Sequence, residues 1–472
     1  MLDTINLPLF VDLDAQQARL DAVEQLHQAT NFYTVTPVVD DLLNRLRWPE
    51  CGGRLLDPAA GNGQFLVRAV EKLLESGDVT DEDLLARVEG WEIHEQACQQ
   101  ARARVSATLQ RHGRSHETAH VMATTIVKNQ DFLTQAELSG AVTTVASNPP
   151  YLRRDKIPQL LRDEYDALLP SYAVQDLLHS FLLKSSKAIT REGQIGIVGA
   201  DRWLYAQGAA ILRETLGSQL RIRHMAKLDC KSSFFRPKSR RAGTLPRVHP
   251  VAIVLGGGSG QELTKKPIYP SATTTDYGRY PKLRDLATVR LGSWLGPDEV
   301  FLVTAEQARA SGLPDDVLVP VAGAKDIVDD TLQAPTRYAI RTTPATLPSE
   351  QVIKHLNANM HLMPPSALRK RRNTPWVPPE AFHNTPLDQP TLLVRRISRT
   401  PQAIRLPAGV LAIDHHLSIT PNDPAMFSAI ERALMAPIAQ QWMQERARPL
   451  EEDWFELTAT VLRDMPIDLN AI

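Results

Sequence analysis

Short apolar runs alternate with longer amphipathic patterns through the first half of the chain. The runs are rich in β-branched residues and carry little charge, which is typical of strands buried in a parallel sheet. The patterns between them place apolar residues on one helical face, as in residues 12–29. This alternation predicts an α/β domain with a mostly parallel sheet. The predicted strands span residues 54–57, 88–92, 121–127 and 141–146.

A carboxylate or amide side chain stands at or just after the end of each predicted strand. Asp57 and Glu92 end the first two strands, Asp131 follows the third, and Asn148 follows the fourth. The carboxyl ends of parallel strands meet at one edge of the sheet, where open α/β folds bind their ligands. Any one of these residues alone fits a solvated loop, but four of them in this position favour a ligand crevice.

The tetrapeptide Asn148-Pro149-Pro150-Tyr151 concentrates hydrogen-bond acceptors. Asn148 offers a side-chain carbonyl, and the two prolines remove backbone N–H donors, so that only carbonyls remain there. Two neighbouring acceptors suit the exocyclic amine of a nucleobase, and the ring of Tyr151 offers a face on which such a base can stack. A Pro-Pro turn with Tyr151 as core filler is the alternative interpretation of the same residues.

The loop after Asp57 is rich in small residues, which let a ligand approach the backbone closely. It lacks the three spaced glycines of a dinucleotide site and the Lys-Ser/Thr pair of a P-loop. The acid at its front favours a ligand that carries an ammonium group. Upstream, Thr36 is predicted to cap a helix with Pro37 in its first turn, and such a helix start can bind a carboxylate. An ordinary capped helix is the alternative.

These motifs, in this order, resemble the gamma-class (Taq-type) adenine-N6 DNA methyltransferases over residues 31–255. The resemblance implies a Rossmann-like class I methyltransferase domain with S-adenosylmethionine as cofactor. In the family, the Thr-Pro element and the glycine loop hold the methionine part, the second-strand acid holds the ribose, and the third-strand Asp holds the adenine. The cofactor-binding residues implied here are Thr36, Asp57, Ala59, Gly61, Gly63, Glu92, Asp131, Phe132 and Pro150.

The tetrapeptide holds the expected catalytic residues. We expect Asn148 and the carbonyl of Pro149 to accept the hydrogens of the target amine, and Tyr151 to stack on the target base. The resemblance places an aromatic residue against the other face of the base, for which Phe234 and Phe235 are both candidates. A core pair of phenylalanines is the alternative for these two residues.

The composition changes at the glycine-rich residues 256–260, where we place the domain boundary. The predicted domains are residues 1–258, a catalytic domain with N-terminal helices, and residues 259–472, a mixed α+β target-recognition domain with a C-terminal helix. Basic clusters near the proposed base pocket and in the second domain fit a solvated face, but beside a base-modifying domain they favour DNA phosphates. The predicted DNA-binding residues are Arg236, Lys238, Arg240, Arg241, Arg369, Lys370, Arg371, Arg372, Arg395 and Arg396.

Composition excludes several other classes of protein. The 53 basic and 54 acidic residues nearly balance, so any contact with nucleic acid must come from local patches. The 3 cysteines are widely spaced, which predicts neither disulfides nor a metal site and fits a reducing cytoplasm. None lies in a strand-end Pro-Cys context, which argues against methylation of a cytosine ring carbon. The sequence has no run of about eighteen apolar residues, so we expect no membrane partner.

We therefore expect a cytoplasmic, site-specific DNA methyltransferase that flips an adenine out of double-stranded DNA and methylates its amino group. It would be a monomeric modification enzyme of a restriction-modification or related defence system, with a separate restriction endonuclease or defence protein as a possible partner. Three alternatives stay open at this point: a cytosine-N4 DNA methyltransferase, a protein glutamine methyltransferase, and a non-catalytic DNA-recognition subunit.

Overall fold

Two compact units divide the chain between Pro270 and Ser271, later than the predicted boundary after residue 258. The computed structural model describes residues 13–135, 138, 140–235, 249–272, 275–370, 373–450 and 454–470. No helix within these ranges is long and apolar enough to cross a membrane.

A twisted sheet of eight strands organises the first unit. Its strand order is β10-β7-β9-β6-β5-β2-β3-β4, and β4, β3, β2, β5 and β6 run parallel, while β9 is antiparallel to both of its neighbours. A separate two-stranded ribbon pairs β1 with β8. This arrangement confirms the predicted α/β fold with a mostly parallel sheet. The strands are β1 (Tyr33–Thr34), β2 (Leu55–Asp57), β3 (Val88–Glu92), β4 (Val127–Asn129), β5 (Val142–Ser147), β6 (Ile189–Ala200), β7 (Arg221–Lys227), β8 (Phe234–Phe235), β9 (Pro250–Gly256) and β10 (Gln261–Glu262).

Helices cover both faces of this sheet because successive strand residues point to opposite sides. Leu55 belongs to an apolar core shared with α2, α3, α5 and α6, whereas Leu56 belongs to a core shared with α1, α7, α8 and α10. Two 3-10 turns lie at Arg154–Lys156 and Gln207–Ala209. The helices are α1 (Leu13–Thr30), α2 (Thr36–Arg45), α3 (Gln64–Glu75), α4 (Asp81–Arg87), α5 (Glu95–Arg111), α6 (His116–Ile126), α7 (Gln159–Leu168), α8 (Leu177–Ala188), α9 (Arg202–Tyr205), α10 (Ala210–Gly217) and α11 (Cys230–Ser233).

The third predicted strand is wrong over most of its length. Residues 121–126 form the end of α6, and the strand itself begins only at Val127. Ser115 caps this helix, since its side chain accepts a hydrogen bond of 3.1 Å from the backbone N–H of Thr118. The buried residues Ala119, Met122, Ala123 and Ile126 recur at helical spacing, which outweighs the β-branched composition of the segment.

The second unit contains smaller sheets. One is antiparallel with the order β11-β21-β17-β19, and another has the order β12-β16-β13-β20, in which β13 and β20 are parallel. The remaining strands form the hairpin β14-β15 and the small sheet β18-β23-β22. The strands are β11 (Ala287–Leu291), β12 (Leu302–Thr304), β13 (Leu318–Ala322), β14 (Ile327–Val328), β15 (Thr331–Leu332), β16 (Arg337–Ile340), β17 (Thr391–Val394), β18 (Ile397–Ser398), β19 (Ala403–Leu406), β20 (Leu411–Ala412), β21 (Leu417–Pro421), β22 (Arg448–Pro449) and β23 (Phe455–Glu456).

Short helices connect these strands, so the unit has the mixed α+β character expected of it. The helices are α12 (Leu283–Leu286), α13 (Ala305–Ala310), α14 (Glu350–Asn359), α15 (Pro365–Lys370), α16 (Phe427–Met435), α17 (Pro437–Arg446) and α18 (Ala459–Arg463). Its 3-10 turns are Asp315–Val317, Ala324–Asp326, Met360–Leu362 and Pro424–Met426.

Candidate functional site

The strand order of the large sheet reverses between β2 and β5. The chain passes from β2 outward through β3 to β4, then returns to place β5 and β6 on the other side of β2. Doubly wound sheets bind ligands at such a switch point, outside the carboxyl ends of the strands. Asp57 ends β2, and Asn148 directly follows β5. A hydrogen bond of 2.6 Å from Ser147 Oγ to Asp57 Oδ1 joins the two strand ends.

A pocket opens at this edge of the sheet. Its walls come from α1, the loop after β2, the ends of β3 and β5, and helices α7 and α8. The pocket therefore collects side chains from segments far apart in the sequence, as the strand-end pattern predicts. The predicted site residues that line it are Ala59, Gly61, Glu92, Asp131, Phe132, Asn148 and Pro150.

Asp57 lies beneath the loop and is not part of the pocket wall. Its side chain is 1% exposed, and Oδ1 also accepts a hydrogen bond of 3.2 Å from the backbone N–H of Ala59. Oδ2 is buried and has no partner among the described residues. Burial raises the pKa of Asp57 to about 7 and the nearby Glu92 adds to the rise, whereas the hydrogen bonds from Ser147 and Ala59 oppose it.

Two glycines shape the loop above Asp57. Gly61 has a φ of 55°, and a Cβ on it would lie 3.0 Å from the ring of Tyr33. Gly63 has a φ of 83°, and its Cβ would lie 2.9 Å from the backbone of Ala101 in α5. Both positions combine a left-handed backbone with close packing, so only glycine fits without strain. The resulting turn aims the backbone N–H of Gly61 at Glu92 Oε2, 2.7 Å away.

Thr36 does not cap α2, contrary to the prediction. Val35 occupies the cap position and Thr36 is the first helical residue, with Pro37 in the first turn as expected. The hydroxyl of Thr36 instead accepts a hydrogen bond of 2.7 Å from Gln64 Nε2. It thereby connects the start of α2 to the start of α3.

Arg104 of α5 completes this connection and is absent from the predicted site. Its guanidinium donates to Gln64 Oε1 at 2.6 Å and to the carbonyl of Asn62 at 3.0 Å. Arg104 therefore holds the loop, α2 and α3 together from behind. No local pattern marks it, because its partners lie some forty residues earlier in the chain.

Glu92 and Asp131 stand at the ends of neighbouring strands and are both buried. Glu92 Oε1 accepts a hydrogen bond of 2.8 Å from the backbone N–H of His94. Asp131 Oδ2 accepts from the hydroxyl of Tyr165 at 3.1 Å and contacts the guanidinium of Arg19 at 3.4 Å. Burial raises the pKa of both carboxyl groups. Each carboxylate has further lone pairs with which to accept from a ligand.

The chemistry of the pocket suits S-adenosylmethionine. Three buried carboxyl groups, Asp57, Glu92 and Asp131, lie in or directly beneath its walls, so a ligand with positive charge is favoured over an anion. Oδ2 of Asp57 is a buried acceptor without a hydrogen-bond partner among the described residues, and a positively charged ligand nearby would stabilise it. Sulfonium and ammonium groups supply such charge, and ribose hydroxyls and a ring amine supply donors for the other two acids. The residues present thus fit this cofactor.

The side-chain amide of Asn148 is held in place through its nitrogen, while its oxygen has no partner among the described residues. Nδ2 donates a hydrogen bond of 3.1 Å to the carbonyl of Phe32, just before β1. Oδ1 is buried without a partner among the described residues, and no described donor reaches the carbonyl of Pro149. Two acceptors therefore stand unused at the tip of β5. The side chain of Asn148 itself lines the pocket that contains Glu92 and Asp131.

Tyr151 lies outside the cofactor pocket wall, half-buried against the core on the α8 side of the sheet. Burial raises the pKa of its hydroxyl, and the nearby Cys230 contributes to the rise. That hydroxyl has no hydrogen-bond partner in the described ranges. The ring, rather than the hydroxyl, is thus the part of Tyr151 suited to contact a ligand.

The two candidate stacking residues have different surroundings. Phe234 is 4% exposed and packs in the core shared by α2 and α3, whereas Phe235 is 40% exposed. Because β8 pairs with β1, Phe235 lies opposite Tyr33, with the ring centroids 5.7 Å apart. The alternative of a core phenylalanine therefore holds for Phe234, and Phe235 is the better candidate to meet a base.

Helix α1 covers one side of the pocket, a role that its amphipathic pattern does not predict. Arg19 connects α1 to Glu164 of α7 at 3.1 Å as well as to Asp131. The ring of His27 stacks on that of His94 with centroids 3.8 Å apart. These contacts join α1 to the segments that follow β3 and β4. Only the fold brings them together, since the partners lie far along the chain.

Only some of the predicted DNA-binding residues lie within the described part of the chain. Arg236, Lys238, Arg240, Arg241, Arg371 and Arg372 lie outside the described residues. Arg369 and Lys370 end the backbone of α15. Arg395 forms an ion pair of 3.4 Å with Asp330, and Arg396 pairs with Glu456, so both have acidic partners within the second unit.

Known proteins resemble this chain at two levels. Residues 20–231 match the family described as N-6 DNA Methylase. The Type II methyltransferase M.PaeR7I of Pseudomonas aeruginosa is 30% identical over 204 residues, which cover 41% of this chain and 35% of that protein. The Type II methyltransferase M.XhoI of Xanthomonas vasicola is 28% identical over 215 residues, which cover 43% of this chain and 39% of that protein. The matches thus span little more than a third of these curated relatives.

The fold of the whole chain also has a counterpart among solved structures. The Type IIL restriction-modification enzyme MmeI, solved in complex with DNA, superposes with a TM-score of 0.59 at 15% identity. The match covers 96% of this chain and 66% of that chain. At this identity the similarity shows a shared fold for both units of the chain.

Proposed function

We propose that this chain is a site-specific DNA methyltransferase acting on the N6 amino group of a flipped-out adenine, because residues 20–231 match the N-6 DNA Methylase family. The family match confirms the resemblance predicted from the motifs, the class I methyltransferase fold and S-adenosylmethionine as cofactor. One observation carries the proposal: the unused Oδ1 of Asn148 stands at the tip of β5, in the pocket shared with Glu92 and Asp131.

The free acceptors can activate an amine. The lone pair of an adenine amino group is delocalised into the ring, so the nitrogen is a weak nucleophile. If Asn148 Oδ1 and the Pro149 carbonyl each accept one hydrogen, the nitrogen is held toward tetrahedral geometry with its lone pair directed away from both oxygens. The hydrogen bond from Asn148 Nδ2 to Phe32 fixes which half of the amide faces the substrate. This pre-oriented geometry lowers the barrier without a metal.

The acidic pocket holds the methyl donor. When bound, S-adenosylmethionine supplies the methyl group as a sulfonium, which is a strong electrophile. Asp57 places negative charge beneath the loop 58–63, and Glu92 and Asp131 accept hydrogen bonds at two further strand ends. Asn148 Oδ1 and the Pro149 carbonyl would hold both amine hydrogens while the nitrogen gains the methyl group, and one of the two would then be lost as a proton to water.

The base must leave the duplex to reach these acceptors. Flipping costs a few kcal/mol, which contacts with the extruded base must offset. Stacking on the half-buried ring of Tyr151 on one face, and on the exposed ring of Phe235 on the other, would recover about 1–3 kcal/mol per contact. The pairing of β8 with β1 supports this role for Phe235, because the Phe32 carbonyl beside β1 also anchors Asn148.

We further propose that the second unit reads the DNA sequence and that double-stranded DNA is the partner of the whole chain. The two relatives named above are Type II methyltransferases, and the solved structure with the same overall fold is a restriction-modification enzyme bound to DNA. These similarities support a role as the modification enzyme of a restriction-modification or related defence system. Such a role would pair the chain with a separate restriction endonuclease or another defence protein.

Substitution of Asn148 tests the chemistry directly. We expect Asn148→Ala to reduce DNA methylation below detection while calorimetric affinity for S-adenosylmethionine changes less than about threefold, because only the substrate acceptor is removed. Asn148→Asp retains an acceptor but loses the donor to Phe32, and should keep reduced activity. Digesting the product DNA to nucleosides identifies the base. N4-methylcytosine as product, or full activity of Asn148→Ala, would refute the proposal.

A further inference from the structure

A second cavity lies beside the catalytic tetrapeptide. It is an open groove of about 720 Å³, and none of its lining residues belongs to the cofactor pocket. Its walls are the loop 153–155, one face of α7, residues 171–179, and the segment from α9 to α10. Helices α7 and α8 therefore contribute to both the groove and the cofactor pocket, but with different residues. Helix α7, for example, presents Tyr165 to the pocket and Arg162 to the groove.

Arginine dominates the lining of this groove. Arg154 is neutralised by Asp166, and Arg202 forms an ion pair of 2.7 Å with the buried Asp176. Arg153 and Arg162 have no acidic partner in the part of the chain that the structure describes. The other acid of the lining is the exposed Asp155, which lies 3.9 Å from Lys156. The groove thus keeps two uncompensated guanidinium groups and a positive field.

The backbone fixes the position of these groups relative to the active site. Arg153 follows Tyr151 by two residues, and two extended residues span at most about 7 Å. The loop that carries it is tied down by hydrogen bonds from Arg154 N to the Gln175 carbonyl at 3.1 Å and from Leu177 N to the Leu152 carbonyl at 3.0 Å. A base stacked on Tyr151 would have its own phosphates within reach of Arg153.

We propose that this groove binds the sugar-phosphate backbone of the target strand beside the flipped base, with Arg153 and Arg162 contacting consecutive phosphates. The proposal rests on the proposed function for the identity of the ligand. A DNA strand carries one phosphate every 3.4 Å along the helix axis, so an open groove with two free arginines suits a polyanion. Guanidinium groups bind phosphate oxygens bidentately, and they would also hold the strand while its base is out of the stack.

A charge-neutralising pair of substitutions tests the groove. The variant Arg153→Ala/Arg162→Ala removes both free guanidiniums, and Arg47→Ala/Arg191→Ala is the matched control. Arg47 and Arg191 are exposed, as Arg153 is, but they lie in the segment before β2 and among the first residues of β6, towards the opposite edge of the sheet from Asn148. Fluorescence anisotropy then gives duplex affinity for each protein from 50 to 200 mM salt. Calorimetric binding of S-adenosylmethionine verifies that each variant is folded.

We expect the groove variant to bind duplex more weakly and with a shallower salt dependence. Each lost phosphate contact lowers the slope of log affinity against log salt by about 0.9, so two contacts lower it by about 1.8. The control should keep the slope of the wild-type protein. A slope in the groove variant equal to that of the control would overturn the proposal.

Neutral phosphates locate the contact. Once the methylated sequence is known, single methylphosphonates can be placed along the target strand. Those beside the target adenine should weaken binding of wild-type protein but not of the groove variant. An equal loss in both proteins would overturn the proposed position.

The two proposals fail in different ways. If wild-type protein methylates DNA but the groove variant keeps its slope, the groove proposal alone is refuted. If wild-type protein binds DNA through the groove but yields no methylated adenine, the proposed chemistry is refuted and the groove is supported.

Discussion

Replacing Asp57 by Asn removes a buried negative charge that lowers the free energy of unfolding of the protein without cofactor. Asp57 has a pKa of about 7 against an ordinary value of 3.8. At about 1.4 kcal/mol per pKa unit, ionising this group in the fold lowers the free energy of unfolding at pH 8 by about 4 kcal/mol. Asn keeps the acceptor for Ser147 and Ala59 but turns an N–H₂ toward the site of the orphaned Oδ2. An unpaired buried donor costs about 1–3 kcal/mol, so the net gain at pH 8 is about 1–3 kcal/mol.

The sign of the pH dependence follows from proton binding. Between pH 3.8 and about 7 the folded protein holds a proton on Asp57 that the unfolded chain has lost. The contribution of this group to stability is therefore fully present below pH 3.8 and falls as pH rises to 7. Asp57→Asn abolishes that fall. The variant should be the more stable protein at pH 8, and its advantage should disappear near pH 5.

Differential scanning calorimetry from pH 5 to pH 8, without cofactor, measures this effect. A gain of 1 kcal/mol raises the midpoint by about 2–4 °C for a unit of this size. Ser147→Ala is the control, because it removes a hydrogen bond to the carboxylate and should destabilise the protein most at pH 8. An Asp57→Asn protein that melts below wild type at pH 8, or whose midpoint follows the pH dependence of wild type, would refute the reasoning.

The same substitution should weaken binding of S-adenosylmethionine. A carboxylate near a cationic ligand contributes on the order of 2 kcal/mol at an effective dielectric constant of about 20, which corresponds to about thirtyfold in affinity. Wild-type affinity should rise with pH up to about 7, as Asp57 ionises, and the variant should lack this rise. Isothermal titration calorimetry between pH 5.5 and 7.5 checks both statements, and a variant with wild-type affinity at pH 7.5 would contradict them.

Substitutions at four further residues separate the roles of these side chains. Tyr151→Phe should keep full methylation because the hydroxyl has no partner in the described ranges, whereas Tyr151→Ala should lose about 1–3 kcal/mol of stacking, seen as weaker fluorescence of a flipped 2-aminopurine. Phe235→Ala should reduce the same fluorescence signal with little change in the melting midpoint. Phe234→Ala truncates a core side chain and should lower the free energy of unfolding by about 3–5 kcal/mol. Equal behaviour of the two variants would contradict the assignment of Phe235 to the base and Phe234 to the core. Arg104→Ala should lower cofactor affinity by about tenfold or more, because it releases the glycine loop and each charged hydrogen bond contributes about 1.5–3 kcal/mol. Arg104→Lys should recover part of this affinity. Unchanged affinity of Arg104→Ala by calorimetry would exclude a positioning role for Arg104.

The sequence alone determined the strand-end motifs and the order in which they occur. Asp57, Glu92 and Asn148 could be placed because a buried parallel strand is a local apolar run and its last residue is visible in the sequence. The loop after Asp57 was equally predictable, because left-handed turns and close packing demand glycine at Gly61 and Gly63. The error at residues 121–126 has the same local origin, since β-branched composition and helical spacing compete there, and helical spacing with a cap at Ser115 outweighs composition.

Only the tertiary structure decided which side chains meet at the site and what charge they carry. Arg104, Arg19 and helix α1 support the cofactor pocket through contacts between distant segments, which leave no periodic signal in the sequence. The pKa of Asp57 depends on its burial beneath the loop, and the positive field of the groove depends on Arg153 and Arg162 lacking the acidic partners that Arg154 and Arg202 have. Local sequence encodes backbone conformation and apolar spacing, whereas desolvation and charge pairing arise only when the folded chain brings those segments together.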